Sequence, residues 1–302
     1  HRVVVLGPAG AVLRTVGRRG EGPGEYRMIR NVQALPGDSL LVYDPELARV
    51  TVYGPGAAEP AYTVALGGKL TRGVPFTLRR TSGNDAFLAV LRPGFAFGQG
   101  AQNTNRRERV LVLGLDGRER RELVDYPPAA RLVAGTSIMQ HPFGRDGFAR
   151  LDSRDRLHFL WADSLAVTTY GLDGVHAGGF RHAYSPPPVT REDVADALAG
   201  RSARTRAQFE PVLADSTPDR WPVAREMLVD EQDRLWLSLG GPTREPTEWA
   251  AFSTDGDYLG SMVVPPGVEV RVIRGDGTVY AGRTDDDDVA HVVVYRMARP
   301  LR

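Results

Sequence analysis

Two families of turn alternate along this chain, and that alternation constrains its fold more than any other feature. The first is a polar turn between apolar runs: Pro36-Gly37-Asp38, Ser82-Gly83-Asn84, Asp152-Ser153-Arg154-Asp155, Asp230-Glu231-Gln232-Asp233 and Gly275-Asp276-Gly277. The second is Gly7-Pro8-Ala9-Gly10, Gly54-Pro55-Gly56, Asp116-Gly117, Asp173-Gly174 and Asp255-Gly256. Glycine and aspartate tolerate the left-handed backbone of tight hairpins, so each turn predicts an antiparallel pair of strands. Between them lie short alternating or β-branched runs, such as Ser39-Leu40-Leu41-Val42-Tyr43-Asp44 and Arg49-Val50-Thr51-Val52-Tyr53, or Arg156-Leu157-His158-Phe159-Leu160-Trp161. Runs of this length and composition are strands.

The repeating unit is therefore strand A, turn, strand B, loop, strand C, turn, strand D, and a crossing to the next A. Undecorated copies recur about every 45 residues, the length of a four-stranded propeller blade. The fold class is all-β, a β-propeller of four-stranded antiparallel blades with a partly helical insertion. Five turns of each family are present, and the first C–D turn, near residue 9, precedes any A–B turn. The chain thus opens on the third strand of a blade, at Arg2-Val3-Val4-Val5-Leu6, and ends after the third strand of another, near Met297. The simplest account is six blades, the first incomplete at the N-terminus, with its missing strands upstream of His1. Five blades is the alternative. The whole of 1–302 is read as one propeller domain.

The stretch from Gly17 to Tyr26 holds four glycines and a proline, so no helix or regular strand runs through it. It reads as the first D–A crossing, with Glu25 tying backbone amides of the neighbouring blade. The Gly-Pro-Gly-Glu-Tyr crossing at 22–26, followed by Val42-Tyr43-Asp44 and Arg49-Val50-Thr51-Val52-Tyr53, resembles the six-bladed, NHL-like propellers of bacterial cell envelopes. The resemblance covers most of the chain and weakens in the middle. It implies an extracytoplasmic, periplasmic or cell-envelope location, peripheral to the membrane. It implies fold rather than role, because that family spans binders, scaffolds and a few enzymes.

Net charge is +1 across 302 residues, which gives no global electrostatic case for nucleic acid or an anionic membrane. Lys69 is the only lysine among the 38 basic residues, so the rest are arginine, suited to bidentate pairing with carboxylates. With no cysteine, disulfides and thiolate chemistry are excluded. No apolar run approaches the roughly 18 residues of a membrane span.

The long connections are all of the B–C or D–A kind, which share one face of a propeller: 92–107, 127–145, 181–221 and 283–288. Long loops in compact domains are functional more often than not. The insertion at 181–221 predicts two short helices, one capped by Thr190 with Asp193 and carrying Val194, Ala197 and Leu198, the other carrying Phe209, Val212 and Leu213 but interrupted by Pro211. The face collects an Arg/aromatic set of the kind enriched at protein interfaces: Arg18, Arg19, Tyr26, Phe95, Phe97, Arg106, Arg107, Arg181, Tyr184, Arg204 and Phe209.

No catalytic residue, metal ligand set or cofactor motif emerges. The run Asp285-Asp286-Asp287-Asp288 lacks calcium-loop spacing and reads as a solvated turn. No two histidines sit at helical ligand spacing, although His141 and His182 fall in same-face insertions and could approach one another. Gly17-x-x-Gly20-x-Gly22 has no lysine and no following helix, so it is not a phosphate loop. The expected function is a non-catalytic binding or scaffold propeller that docks a protein partner through the long-loop face, as an extrinsic subunit of a respiratory or photosynthetic membrane complex. The alternative is a lyase or lactonase with a metal on the propeller axis.

Overall fold

The computed structural model describes residues 1–66, 73–83, 85–92, 107–285, 287–299 and 301. The chain divides into two compact units, His1–Pro128 and Ala129–Arg302. The first begins with a hairpin, β1 (Val3–Leu6) and β2 (Val12–Val16), and a short parallel pair, β3 (Arg18–Arg19) and β4 (Glu25–Tyr26). Two blades follow. One is β5 (Asn31–Leu35), β6 (Ser39–Asp44), β7 (Arg49–Tyr53) and β8 (Pro60–Ala65); the other is β9 (Thr77–Arg80), β10 (Ala86–Leu91), β11 (Glu108–Gly114) and β12 (Glu119–Tyr126).

The second unit opens on a hairpin, β13 (Arg131–Ala134) and β14 (Ser137–Gln140). A blade follows, of β15 (Gly147–Leu151), β16 (Leu157–Trp161), β17 (Ala166–Tyr170) and β18 (His176–Arg181). The helices α1 (Arg191–Ala197) and α2 (Ala203–Ser216) come next. Then come β19 (Ala224–Val229), β20 (Leu235–Leu239), β21 (Thr247–Phe252) and β22 (Tyr258–Val264), and a three-stranded blade of β23 (Val268–Ile273), β24 (Thr278–Thr284) and β25 (Ala290–Arg296).

The described residues thus form a propeller of meandering antiparallel blades with two helices, in five blades rather than six. Each predicted A–B turn generates one blade, and there are five such turns. Of the expected sixth blade the described residues show only β1 and β2, a two-stranded sheet.

Apolar side chains on both faces of the B and C strands explain the near-continuous hydrophobic runs. Adjacent blades press their faces together, so alternation is lost in the middle strands and kept in the outer ones. In the first unit Leu41, Tyr43, Val50 and Val52 pack on Leu78, Phe87, Leu111 and Leu113. In the second, Leu160, Leu165 and Val167 pack on Met227, Leu235 and Phe252, and Trp236 and Trp249 pack on Val270, Ile273 and Val279. Neighbouring blades also touch through their first strands, β5 on β9 in the first unit and β15 on β19 and β19 on β23 in the second.

The A–B turns carry a repeated polar device. Asp152 accepts from the amides of Arg154 and Arg156 at 3.0 and 2.8 Å and from Arg156 Nε at 2.7 Å. Asp230 does the same with Gln232, Arg234 and Arg234 Nε at 2.9, 3.0 and 2.7 Å. The fourth turn residue, Asp155 or Asp233, takes a positive φ of 60° or 61°. Asp233 also receives the amide and hydroxyl of Ser153 at 2.7 and 2.8 Å, so the turns of adjacent blades are tied directly.

The crossing before β5 is closed upon itself. Glu25 Oε2 accepts from the amides of Glu21 and Gly22 at 2.9 and 2.8 Å, while Oε1 takes Arg18 Nε at 2.7 Å. Glu25 therefore ties its own loop rather than a neighbouring blade. From β7, Arg49 donates to the carbonyls of Glu21 and Gly22 at 2.7 and 2.8 Å. Buried Asp44 accepts the amides of Arg27 and Met28 at 2.8 and 3.1 Å. The Val-Tyr-Asp and Arg-Val-Thr-Val-Tyr segments are thus the parts of the blade that hold the crossing.

Candidate functional site

In the second unit the two long D–A connections fold together. Thr190 and Asp193 form the expected capping box at the start of α1: the Asp193 amide donates to Thr190 Oγ1 at 3.2 Å and the Thr190 amide to Asp193 Oδ2 at 2.8 Å. Gly200, at a φ of 75°, breaks the chain between the helices, and Ser202 caps α2. Pro211 does not split α2, which runs through it for 14 residues. The proline forfeits one backbone hydrogen bond there, and burial of Phe209 and Leu213 on the hairpin holds the helix together. Those two side chains join Leu132, Ala134, Phe143, Leu198 and Trp221 in a core separate from the blades. Polar ties complete the module. Gln208 Nε2 donates to Ala134 O at 2.8 Å, Val189 N to Asp219 O at 2.9 Å, and Trp221 N to Pro187 O at 3.1 Å.

His141 joins the hairpin loop to the end of α2. Its Nδ1 accepts the Phe143 amide at 3.1 Å, so the proton belongs on Nε2, which donates to Ser216 O at 3.2 Å. Burial lowers its pKa, the Ser216 carbonyl opposes this, and the field of Arg145 adds to the lowering.

A recess of about 130 Å³ opens where α1 meets the β20–β21 loop. On its acidic side Arg244 donates to Asp193 and Asp196 at 2.6 and 2.8 Å and lies 3.2 Å from Glu192. Asp193 also accepts Trp221 Nε1 at 3.3 Å. Burial would raise its pKa, but the Thr190 amide, Arg244 and Trp221 outweigh this and hold it below the ordinary carboxylate range. The apolar wall is Phe143 and Trp221, edge to face with centroids 4.8 Å apart. The exposed Arg225 lies over the Trp221 ring, its guanidinium carbon 5.7 Å from the centroid.

The residues expected to bind a partner fall into three groups. Arg19, Arg181 and Arg204 are exposed, and Arg18 and Arg107 are exposed but paired, with Glu25 at 2.7 Å and Asp125 at 2.8 Å. Tyr26 and Phe209 are core residues, the former with its hydroxyl 2.8 Å from that of Tyr53, and Tyr184 is half-buried against a blade core. Phe95, Phe97 and Arg106 lie outside the described residues. The sequence reading missed Arg244, which meets α1 across some 50 residues of chain, and Arg225, which lies over Trp221; no local pattern marks either.

The remaining candidates are structural. His182 Nε2 bonds to Gly256 O at 2.6 Å and packs on Phe180 and Phe252, so it has partners quite different from those of His141. His158 lies between Thr169 Oγ1 at 2.9 Å and Asp152 Oδ2 at 3.2 Å, an order reminiscent of a catalytic relay, but all three are buried and no substrate reaches them. Asp285 closes its own turn, accepting the amides of Asp287 and Val289 at 3.0 and 2.9 Å and meeting His291 at 2.6 Å. Thr284 pairs with Ala290, and the Asp288 amide donates to Asp285 O at 3.1 Å. Asp286 lies outside the described residues. Among the described residues no group of three His, Cys, Asp or Glu side chains is placed to hold a metal ion, and no helix is long and apolar enough to cross a membrane.

No family model matches the chain, and no curated protein matches it. Solved structures do. A presumed exported protein from Bacteroides fragilis matches with a TM-score of 0.52 at 12% identity, covering 94% of this chain and 74% of that one. A member of the DUF4221 family from Bacteroides vulgatus matches with a TM-score of 0.54 at 10% identity, covering 98% and 87%. At these identities the likeness is one of fold.

Proposed function

We propose that this chain is a non-catalytic binding or scaffold propeller that docks a protein partner through its long-loop face. The observation that carries this reading is the module built by the two D–A connections. Two separate insertions share one apolar core, an investment of some sixty residues that no blade needs for its own packing. Its exposed rim carries Arg201, Arg204 and Arg206 at the start of α2, none of which pairs with a carboxylate among the described residues. Arg204 and Arg206 on the helix, with Arg201 just before its cap, suit an acidic protein surface. The cell-envelope resemblance and the exported neighbour in fold favour an extracytoplasmic setting, and an extrinsic place on a membrane complex is one form of it.

The test is a comparative capture from the native envelope fraction. The wild-type chain, the triple reversal Arg201→Glu, Arg204→Glu, Arg206→Glu, and a control reversal of Arg120 and Arg121 on β12 are compared by cross-linking and mass spectrometry. A partner held by wild type and control but lost by the α2 reversal supports the reading. Equal recovery by all three would refute it.

A further inference from the structure

One strand of the second unit has an open edge. Among the described residues four blades have four strands, the sheet β23–β24–β25 has three, and β25 pairs with β24 alone. The register of that pair runs without a shift from Thr278 opposite Arg296 to Thr284 opposite Ala290. At its two ends Met297 N donates to Gly277 O at 2.9 Å and Asp285 N to Val289 O at 3.0 Å. Alternate residues of an antiparallel strand turn both backbone groups to the same neighbour. Val289, His291, Val293, Tyr295 and Met297 therefore face β24. Ala290, Val292, Val294 and Arg296 present their N–H and C=O groups to the open side, where no backbone bond reaches them among the described residues. A row of such groups is a template for a further strand.

The surroundings define what that strand must be. On the inner side of the edge a groove of about 440 Å³ runs between β22 and β25, lined by Met262, Val264, Val279, Tyr295 and Met297 among others and by no carboxylate. Val264 and Val279 are its buried floor, while Met262, Tyr295 and Met297 are half-buried and keep surface open to it. On the outer side Val292 and Val294 are 69% and 59% exposed, and Val294 continues the exposed cross-strand row of Val272 and Tyr280. A small apolar ligand would fill the groove and leave the backbone edge bare; an extended peptide uses both. Charge sets its direction. Exposed Arg296 and Arg299 stand at the C-terminal end of the edge, without an ion pair among the described residues, and exposed Asp287 and Asp288 stand at the N-terminal end. A strand antiparallel to β25 brings its own N-terminal end to the arginines and its C-terminal end to the aspartates. We propose that β25 accepts an extended segment of a partner protein as an antiparallel fourth strand. That segment is acidic at its N-terminal end, basic at its C-terminal end, and apolar at the alternate positions that fill the groove. The site shares no residue with α2, so it stands or falls separately from the docking reading.

The probe is the fluorescein-labelled peptide Asp-Asp-Val-Thr-Val-Thr-Val-Lys, followed by fluorescence anisotropy. With its valines in the groove, its threonine amides point at β25 and the amides of its second and third valines point away. N-methylation of both threonines is expected to weaken binding at least about tenfold, and N-methylation of those two valines by less than about threefold. V294P removes an outward N–H but no bond to β24, a place where an edge strand tolerates proline, and is expected to lose binding as the methylated threonines do. The double reversal R296E with R299E is expected to favour Arg-Arg-Val-Thr-Val-Thr-Val-Glu over the original peptide. Circular dichroism confirms that each variant is folded. No binding to wild type, equal binding of the two methylated peptides, or undiminished binding by V294P would each overturn the proposal. So would a wild-type dimer in sedimentation that becomes monomeric as V294P, because a second copy then holds the edge. Should V294P fail to fold, the two methylated peptides decide it.

Discussion

Arg244 meets Asp193 at 2.6 Å, and this contact fastens α1 to the β20–β21 loop. Asp193 is simultaneously the capping residue of α1 and the acceptor for the Trp221 indole, so one carboxylate joins three elements. Replacing Arg244 by Met leaves a buried charge with its capping and indole bonds only. Hydrogen bonds to charged groups are stronger than neutral ones, so the module is expected to lose stability. Because the pair serves the module more than the blades, hydrogen exchange should rise in α1 and α2 well before β16 or β20. Uniform protection in the variant would count against this placement.

The glycines of the first crossing are expected to resist substitution. A Cβ on Gly20 would fall 2.1 Å from Glu25 Oε2, and the residue has a φ of 151°. Gly20→Ala displaces the carboxylate that holds the Glu21 and Gly22 amides. Backbone strain of this kind costs about 1–3 kcal/mol, and urea denaturation should show at least the lower figure. Gly37→Ala makes a useful comparison, since it has a positive φ of 69° but nothing within 4 Å of the added carbon. It should be the milder change.

Acid sensitivity should centre on Asp152. Burial raises its pKa, but hydrogen bonds from His158 and from the Arg156 amide and side chain prevail and hold it at about 2. The folded value lies below the ordinary value of 3.8, so the contribution is fully present above pH 3.8 and fades as pH falls toward 2. The shift corresponds to about 2 kcal/mol. Asp152→Asn should flatten the fall in stability across that window, measured by thermal unfolding at stepped pH. An unchanged profile would show that Asp152 does not govern it.

His141 should make the module sensitive to milder acid. Its folded pKa lies below the ordinary value of 6.5, so the folded state holds fewer protons and loses stability as pH drops below 6.5. Protonation would also remove the acceptor for the Phe143 amide. Protection of the α2 amides, measured against the slower intrinsic exchange in acid, is expected to fall between neutral pH and pH 5, and His141→Gln should lessen that dependence. A pH-independent α2 in the wild-type chain would contradict this.

How much was legible in the sequence differs from element to element. The pairs Asp152–Asp155 and Asp230–Asp233 announced hairpins because a left-handed turn residue acts within four positions of itself. Thr190 and Asp193 announced a helix start for the same reason. Pro211 misled because its local cost is outweighed by Phe209 and Leu213 settling on β13, a contact about 75 residues away in sequence. Tyr26 and Phe209 read as interface aromatics and are core, since composition alone does not tell which side of a strand or helix is covered.

The blade count and the recess mark the same boundary. Turn chemistry and strand composition are properties of a few adjacent residues, so the chain's order of hairpins, its propeller class and the position of its insertions follow from the sequence by itself. Whether β1 and β2 grow into a blade depends on strands meeting across the fold. That Arg244 is neutralised by α1 while Arg225, nineteen residues earlier, has no ion-pair partner among the described residues depends on where two insertions come to rest. Charge pairing falls off within a few ångströms, and only the tertiary structure decides which side chains come that close.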